Sequence, residues 1–547
     1  MTRVPAWLCC SLMLLASVGC RTVAPAPVEL VPPPAPPPPP VSLEVTAAPP
    51  PPSRALTAKG DPRSLEAIAW DLLREDRLVP MLPAGFAQIF PDRYSEVPGV
   101  LGFRGGPRRD TGAWGAATLK KRRLRAAWSF KTSPGKPPWG GGSGWTGEPA
   151  LVQWPDVIRH SMPLFGAQRT NRGLVEAIVG SLDGHVYFLD LATGKPTRKA
   201  IDTGNPIKGS VSVDPRGYPL LFVGQGIPQG RPIGLRVYSL ISNEQIFFMT
   251  GRDPEALRGW GAFDSSGLLN RATDTYLQPG ENGLIYLIKL RTEFDPIAPS
   301  IEVRPEVVRF RYANAYNTNL GIENSIAVVR NLAFFADNGG TLTALDLTSM
   351  TPAWAFEAGD DVDASIVISE EEGGGLFLYT GTELDKQGAN GLAYLRKLDA
   401  LTGQAVWQHD YSCVGAVSPH KVDAGTFATP AMGTGDVADR VIYTLSRCPS
   451  FESGLMVALS KKDGAELWRR PLKHYAWSSP TLVKDEEGHS FLLQGDIGGS
   501  LHLIDARTGE VLDTLNLDGG VESSPAVFGS MGVVGTRGGK IWGVQLE

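Results

Sequence analysis

Residues 392–407 read LAYLRKLDALTGQAVW, and this stretch decides the fold. An apolar strand ends at Asp399, a tight turn closes at Gly403, and a second strand carries Trp407. The turn has its own chemistry. Asp accepts backbone N–H groups, Thr supports it, and Gly takes the left-handed position. The same unit recurs at Gly184-HVYFLD-LATGK, Gly340-TLTALD-LTSMTPAW, Gly454-LMVALSKKDGAELW and Gly499-SLHLIDARTGEVLD. Weaker copies end at Ser239, Lys289 and Gln545. The marker position therefore falls at 190, 239, 289, 346, 399, 460, 505 and 545, with spacings from 40 to 61 residues. Such a period suits four short strands and their loops. The segments alternate with period two, Val186 and Phe188 against Tyr187 and Leu189, which excludes a helical solenoid. Asp190 and Asp399 are accordingly turn formers and not catalytic acids.

The ends of the array explain its closure. The last copy stops at Glu547 after its third strand, and Leu124 to Lys131 (LRAAWSFK) supplies a fourth with no hairpin before it. Pairing the termini leaves no free edge in the ring. The fold class expected is all-β, an eight-bladed β-propeller over residues 123–547, closed by its N- and C-terminal strands. Recurrent first strands (Trp145-TGEPAL, Ala428-TPAM, Ser478-SPTL, Ser523-SPAV) place Pro near strand starts, where its missing N–H costs least.

Composition agrees with a large folded core. Apolar residues make up 42% of 547 residues, charged residues 20%, and the net charge is −5. The mild acidity argues against a nucleic-acid partner. There are five Cys, too few for a disulfide framework, and no CxxC pair for a zinc ribbon.

Residues 1–20 (MTRVPAWLCCSLMLLASVGC) have Arg3 before a short apolar run ending in Ser17-Val18-Gly19-Cys20. This resembles the lipobox of bacterial lipoproteins, departing from it at Ser17, and implies lipidation at Cys20. The alternative is an ordinary secretory signal; both export the chain. Residues 21–60 form a Pro-rich linker, with fourteen Pro between 24 and 53, expected to be disordered and extended as a tether. Residues 61–122 are expected to hold one amphipathic helix, Ser64 to Arg77, capped by Ser64, and a lead-in segment. Its apolar stripe is Leu65, Ile68, Ala69, Leu72 and Leu73. The basic run Lys120 to Arg125 is read as a solvated loop.

The unit GxxYALDxxTGxxxW is similar to the pyrroloquinoline-quinone (PQQ) type propeller repeat, and Phe103-RGGPRRDTGAWG resembles the lead-in of many such proteins. The resemblance implies that Trp128, Trp354, Trp407 and Trp468 dock between neighbouring blades. It leaves open the junctions at Thr197, Phe247 and Asp513, which lack Trp. Two functional classes share the repeat. One is the non-enzymatic envelope lipoproteins, such as the propeller subunit of the outer-membrane β-barrel assembly machinery. The other is the quinoprotein dehydrogenases, which hold PQQ and Ca²⁺ beneath a vicinal disulfide. The only Cys-Cys pair here, Cys9-Cys10, lies in the signal. The nearest match to a Ca²⁺ ligand set is Asn317, Asn319, Glu323 and Asn324, oxygen donors suited to a hard cation; the plainer reading is a polar loop between blades.

The expectation is therefore an exported, lipid-anchored, monomeric scaffold in a Gram-negative envelope, an outer-membrane lipoprotein facing the periplasm or the cell surface. It would bind envelope or outer-membrane proteins and use no cofactor. A PQQ- and Ca²⁺-dependent dehydrogenase and an extracytoplasmic ligand sensor are the alternatives. Cys413 and Cys448, the remaining Cys, are expected to form a disulfide in an oxidising compartment.

Overall fold

A computed structural model describes residues 53–144 and 147–547. Cys20, the signal-like segment, most of the Pro-rich linker and Trp145 lie outside the described residues. The chain forms eight antiparallel blades. Blade 1 runs from the axis outward as Ala150–Val152, Glu176–Gly180, His185–Asp190 and Ile201–Asp202. The innermost strands of the next six blades are Ser212–Val213, Leu268–Asn270, Ala327–Val329, Val367–Glu370, Ala431–Met432 and Thr481–Lys484. Blade 8 consists of Ala526–Phe528, Met531–Gly535, Lys540–Leu546 and, as outermost strand, Leu124–Lys131. Leu546 pairs with Leu124 and Ile541 with Phe130. The ring is thus closed by its termini, as the sequence indicates.

The marker Asp residues build turns. The Asp399 Oδ1 accepts the N–H groups of Leu401 (3.0 Å) and Thr402 (2.9 Å), and Asp190 does the same for Ala192 at 3.0 Å. The turn glycine has a second constraint. A Cβ on Gly403, at φ +74°, would lie 2.7 Å from the Trp354 ring. Indole and glycine form one joint between adjacent blades.

That joint repeats. The Trp128 Nε1 donates to the Leu191 carbonyl at 2.8 Å, Trp354 to Ala400 at 3.1 Å, Trp407 to Lys461 at 3.2 Å and Trp468 to Ala506 at 3.1 Å. Each acceptor is one residue past the marker of the next blade. Where the sequence has Thr197 in place of Trp, the following Arg198 takes over. Its Nη1 donates to the Leu240 carbonyl at 3.1 Å, and its guanidinium lies 4.8 Å from the Phe188 ring centre. The Glu176 carboxylate, also fully buried, holds its charge. At Asp513 the carboxylate accepts the Leu124 N–H at 2.8 Å, at the seam of the ring.

The expected helix over 64–77 is not present. Pro62–Leu65 makes one 3-10 turn capped by Asp61. Ile68–Arg74 is a strand paired along its length with Glu306–Asn314, the fourth strand of blade 3, and Arg77–Val79 folds back onto it. Ser64 does not cap a helix; its Oγ accepts the Ala355 N–H at 3.1 Å. Blade 3 offers an open outer edge nine residues long, and pairing there satisfies its backbone groups. Ile68 and Leu72 are buried against the adjoining core.

Cys413 and Cys448 are bonded, with Cα atoms 4.2 Å apart and both residues buried. The bond joins Ala405–Val414, outermost in blade 5, to the residue two beyond Arg440–Ser446 of blade 6.

Candidate functional site in the central channel

Each innermost strand begins with a polar residue that ties it to the next blade. The Ser266 N–H donates to Ser325 Oγ at 2.9 Å, Ser325 to Ser365 at 2.8 Å, Ser365 to Thr429 Oγ1 at 3.1 Å, Thr429 to Ser479 at 3.0 Å and Ser479 to Ser524 at 3.0 Å. The ring changes at blade 1, where Glu148 holds the position. Its N–H donates to Ser210 Oγ at 2.9 Å, while Ser524 turns to the Gly147 carbonyl at 3.2 Å. The Glu148 carboxylate is thereby left to face the axis.

The lead-in segment fills this level of the channel. Gly99–Val100 pairs with the innermost strand of blade 1. Downstream, the carbonyls of Leu101, Pro107, Arg108 and Gly112 accept N–H groups from the innermost strands of blades 2, 4, 5 and 8 at 2.7–3.0 Å. Two fully buried arginines occupy the middle. Arg109 donates to the carbonyls of Ile326 (2.9 Å), Phe103 (2.8 Å) and Ser266 (2.6 Å). Arg104 donates to Thr481 Oγ1 (3.1 Å) and the Pro480 carbonyl (2.8 Å), and its Nη1 lies 3.7 Å from Glu148 Oε2. Burial pulls Arg109 down to about 10 and pushes Glu148 up to about 7. Both arginines have φ near +55° (+53° and +58°), a conformation that side chains adopt only when the surroundings impose it.

Two residues before each ring position the side chain again faces the axis, because strand geometry alternates. This outer ring holds Lys208, Asp264, Glu323, Asp363, Phe427, Trp477 and Glu522. Asp264 is buried and the others are partly exposed, so this ring lines an open mouth. Between Phe103 and the residues Glu323, Asp363 and Phe427 the enclosed space is only about 10 Å³, room for a single water.

One side of the mouth is acidic. Asp264, Glu281 and Glu323 bring carboxylate oxygens within 4.8 Å of one another, and so do Asp361, Asp363 and Glu383. The first group is partly compensated. Lys208 pairs with Asp264, and the Trp260 Nε1 donates to Glu281 at 2.7 Å. The second is not. Among the described residues no donor reaches Asp361 Oδ1, Asp363 Oδ1 or Glu383 Oε1. Burial, with Glu323 nearby, pushes Asp361 up to about 7; burial and the neighbouring acids push Asp363 and Glu383 well above the usual carboxylate range. The other side is aromatic, with Phe427 and Trp477 centroids 5.3 Å apart.

Of the residues singled out in sequence as oxygen ligands, only Glu323 lines the mouth. Asn324 is consumed by the fold: its Nδ2 donates to the Ala336 (2.6 Å) and Val362 (2.8 Å) carbonyls. Asn317 donates to Thr341 Oγ1 at 3.1 Å, and Asn319 is exposed on its loop. The expected set is not assembled. The acids that do converge are Asp361 and Asp363, from the loop that leads into the innermost strand of blade 5, and Glu383, from the short strand Glu383–Leu384 that pairs with Ala424–Gly425. Their signal in sequence is the offset of two residues before the Ser-Ile pairs Ser325-Ile326 and Ser365-Ile366 that lead into innermost strands, which points to Glu323 and Asp363.

Residues 315–474 and 452–547 match the model of the family described as outer membrane protein assembly factor BamB. None of the curated proteins matches the sequence. Among solved structures, BamB from Moraxella catarrhalis is similar at 17% identity over 68% of this chain and 93% of that chain, with a TM-score of 0.46. The quinohemoprotein alcohol dehydrogenase ADHIIG from Pseudomonas putida HK5 is similar at 11% identity over 82% of this chain and 80% of that one, with a TM-score of 0.53. A europium-containing methanol dehydrogenase has 14% identity over 82% of this chain and 98% of that one, at 0.40. At these identities a likeness shows the fold alone. Over residues 315–547 the repeats resemble those of the assembly factor.

Proposed function

We propose that this PQQ-like propeller is a protein-interaction scaffold of the cell envelope, exported, anchored through a lipidated Cys20 and serving outer-membrane protein assembly. The observation that carries the reading is the plug. Arg104 and Arg109 occupy the level beneath the mouth, and the space between Phe103 and the mouth residues Glu323, Asp363 and Phe427 is about 10 Å³. What the fold offers is a rigid ring whose loops and rims are free to bind proteins. The family match to an outer-membrane assembly factor supports the same class of role. In this reading the chain acts as a monomer without PQQ or Ca²⁺.

The test has two arms. The chain expressed with labelled fatty acid should carry the label and sediment with membranes, and Cys20→Ser should lose both. Purified protein given PQQ and Ca²⁺ should show no dye-linked oxidation of alcohols or sugars. Saturable turnover there would replace the scaffold with a dehydrogenase.

A further inference from the structure

Of the two acid groups at the channel mouth, Asp361, Asp363 and Glu383 have no ion pair among the described residues, whereas Asp264 has Lys208. Asp361 and Glu383 are 7% and 3% exposed, and no donor reaches Asp361 Oδ1 or Glu383 Oε1 among the described residues. Burying carboxylates this close together is costly unless they are protonated or joined by a cation. Lys421 shows the pattern at the entrance. Half exposed, it pairs with Asp385 and lies 3.5 Å from Asp423. Asp423 precedes the strand Ala424–Gly425 that pairs with Glu383–Leu384, and its charge adds to the negative surroundings of Glu383.

We propose that this mouth receives a basic side chain, a lysine ammonium or an arginine guanidinium, from the protein that the scaffold binds. The inference rests on the scaffold reading and names the chemistry of its partner. Two observations favour an organic cation over a bare metal ion. The wall facing Asp363 is aromatic, and Trp477 is held in place by a 3.1 Å bond from its Nε1 to Ser446 Oγ. Aromatic faces attract ammonium and guanidinium groups and offer nothing to a hard metal, which wants six to eight oxygens. The amide that could add an oxygen presents its donor side. Asn338 Nδ2 donates to Glu323 Oε1 at 2.9 Å and to Asp361 Oδ2 at 3.2 Å. The mouth therefore has an anionic floor, an aromatic wall and donors already directed at the outer carboxylates, a receptor for one positive group on a flexible stem.

The experiment uses the mature chain at pH 8 and fixed ionic strength, titrated by calorimetry with n-butylammonium, methylguanidinium and calcium chlorides. Saturable binding of the organic cations is expected. Phe427→Leu should weaken it roughly two- to fivefold, the equivalent of a cation–π contact. The double variant Asp363→Asn, Glu383→Gln should abolish it while keeping the thermal midpoint of the parent or raising it. Tight calcium binding that organic cations cannot displace would overturn the proposal in favour of a metal site, and absence of saturable binding by the organic cations would overturn it outright. Capture of an outer-membrane partner by the parent and equally by the double variant would sink the channel receptor and leave the scaffold reading standing.

Discussion

The two levels of the channel treat their charged groups in opposite ways. In the plug, Arg104, Arg109 and Glu148 are fully buried; Arg109 has a carbonyl for each donor nitrogen, and Arg104 meets an oxygen pair and pairs with the Glu148 carboxylate, so that charge is matched by charge and only Arg104 Nε and Glu148 Oε2 are left without a hydrogen bond. At the mouth, Asp361, Asp363 and Glu383 are gathered with no donor on three of their oxygens. Buried polar groups stabilise a fold when their partners are complete and burden it when they are not. The plug is thus a structural keystone, and the mouth is held together at a cost that points to use.

That contrast is sharpest by mutation. Arg109→Ala strips partners from three buried carbonyls and opens space where five blades meet the lead-in. It should cost about 3–5 kcal/mol, read as a shift of the denaturant midpoint at unchanged slope. Glu383→Gln removes a buried acid that has no cation and should be neutral or stabilising at pH 8. If the two variants fell together, the distinction between keystone and receptor would fail. Trp354→Ala lies next in size. It deletes a fully buried ring and its bond to Ala400, for about 3–5 kcal/mol by the cavity rule. Removing the Cys413–Cys448 bond, whose partners are 35 residues apart, should cost about 3–4 kcal/mol in the chain-entropy account.

Sequence exposed what is local and repeated. Period-two segments, the Asp-x-x-Thr-Gly turns and the orphan strand Leu124–Lys131 are enough to count blades and close the ring. The misread helix shows the limit. Leu65, Ile68, Leu72 and Leu73 have helical spacing, but the partner that decides the matter, Glu306–Asn314, lies more than two hundred residues away (232 between Arg74 and Glu306). The junction at Thr197 looked weak because only Trp was sought there; Arg198 reaches the equivalent carbonyl. The acid trio was illegible for the same reason as the helix. Asp363 precedes the innermost strand of blade 5 and Glu383 follows the strand paired with it, Leu376–Gly381, so their convergence exists only once that blade has formed.

pH should separate the two levels by a smaller effect. A carboxyl held near pH 7 in the fold, against about 4 in the unfolded chain, keeps its proton longer when folded. Between those values the native state binds more protons, so stability falls as pH rises from 5 to 8. Asp361 and Glu148, each pushed up to about 7 by burial, both add to this slope. Their removal should nevertheless differ. Asp361→Asn deletes a charge with like-charged neighbours, so the variant should lose part of the slope and gain stability at pH 8. Glu148→Gln also flattens the slope, but it leaves the Arg104 guanidinium buried without its anion. That variant should therefore be less stable than the parent at pH 8, with the gap closing toward pH 5 as the parent's own Glu148 becomes neutral. Urea midpoints of the three proteins at pH 5, 6.5 and 8 measure this directly. If Asp361→Asn and Glu148→Gln moved stability in the same direction at pH 8, the two levels would be electrostatically alike and the case for an unfilled cation receptor at the mouth would be lost.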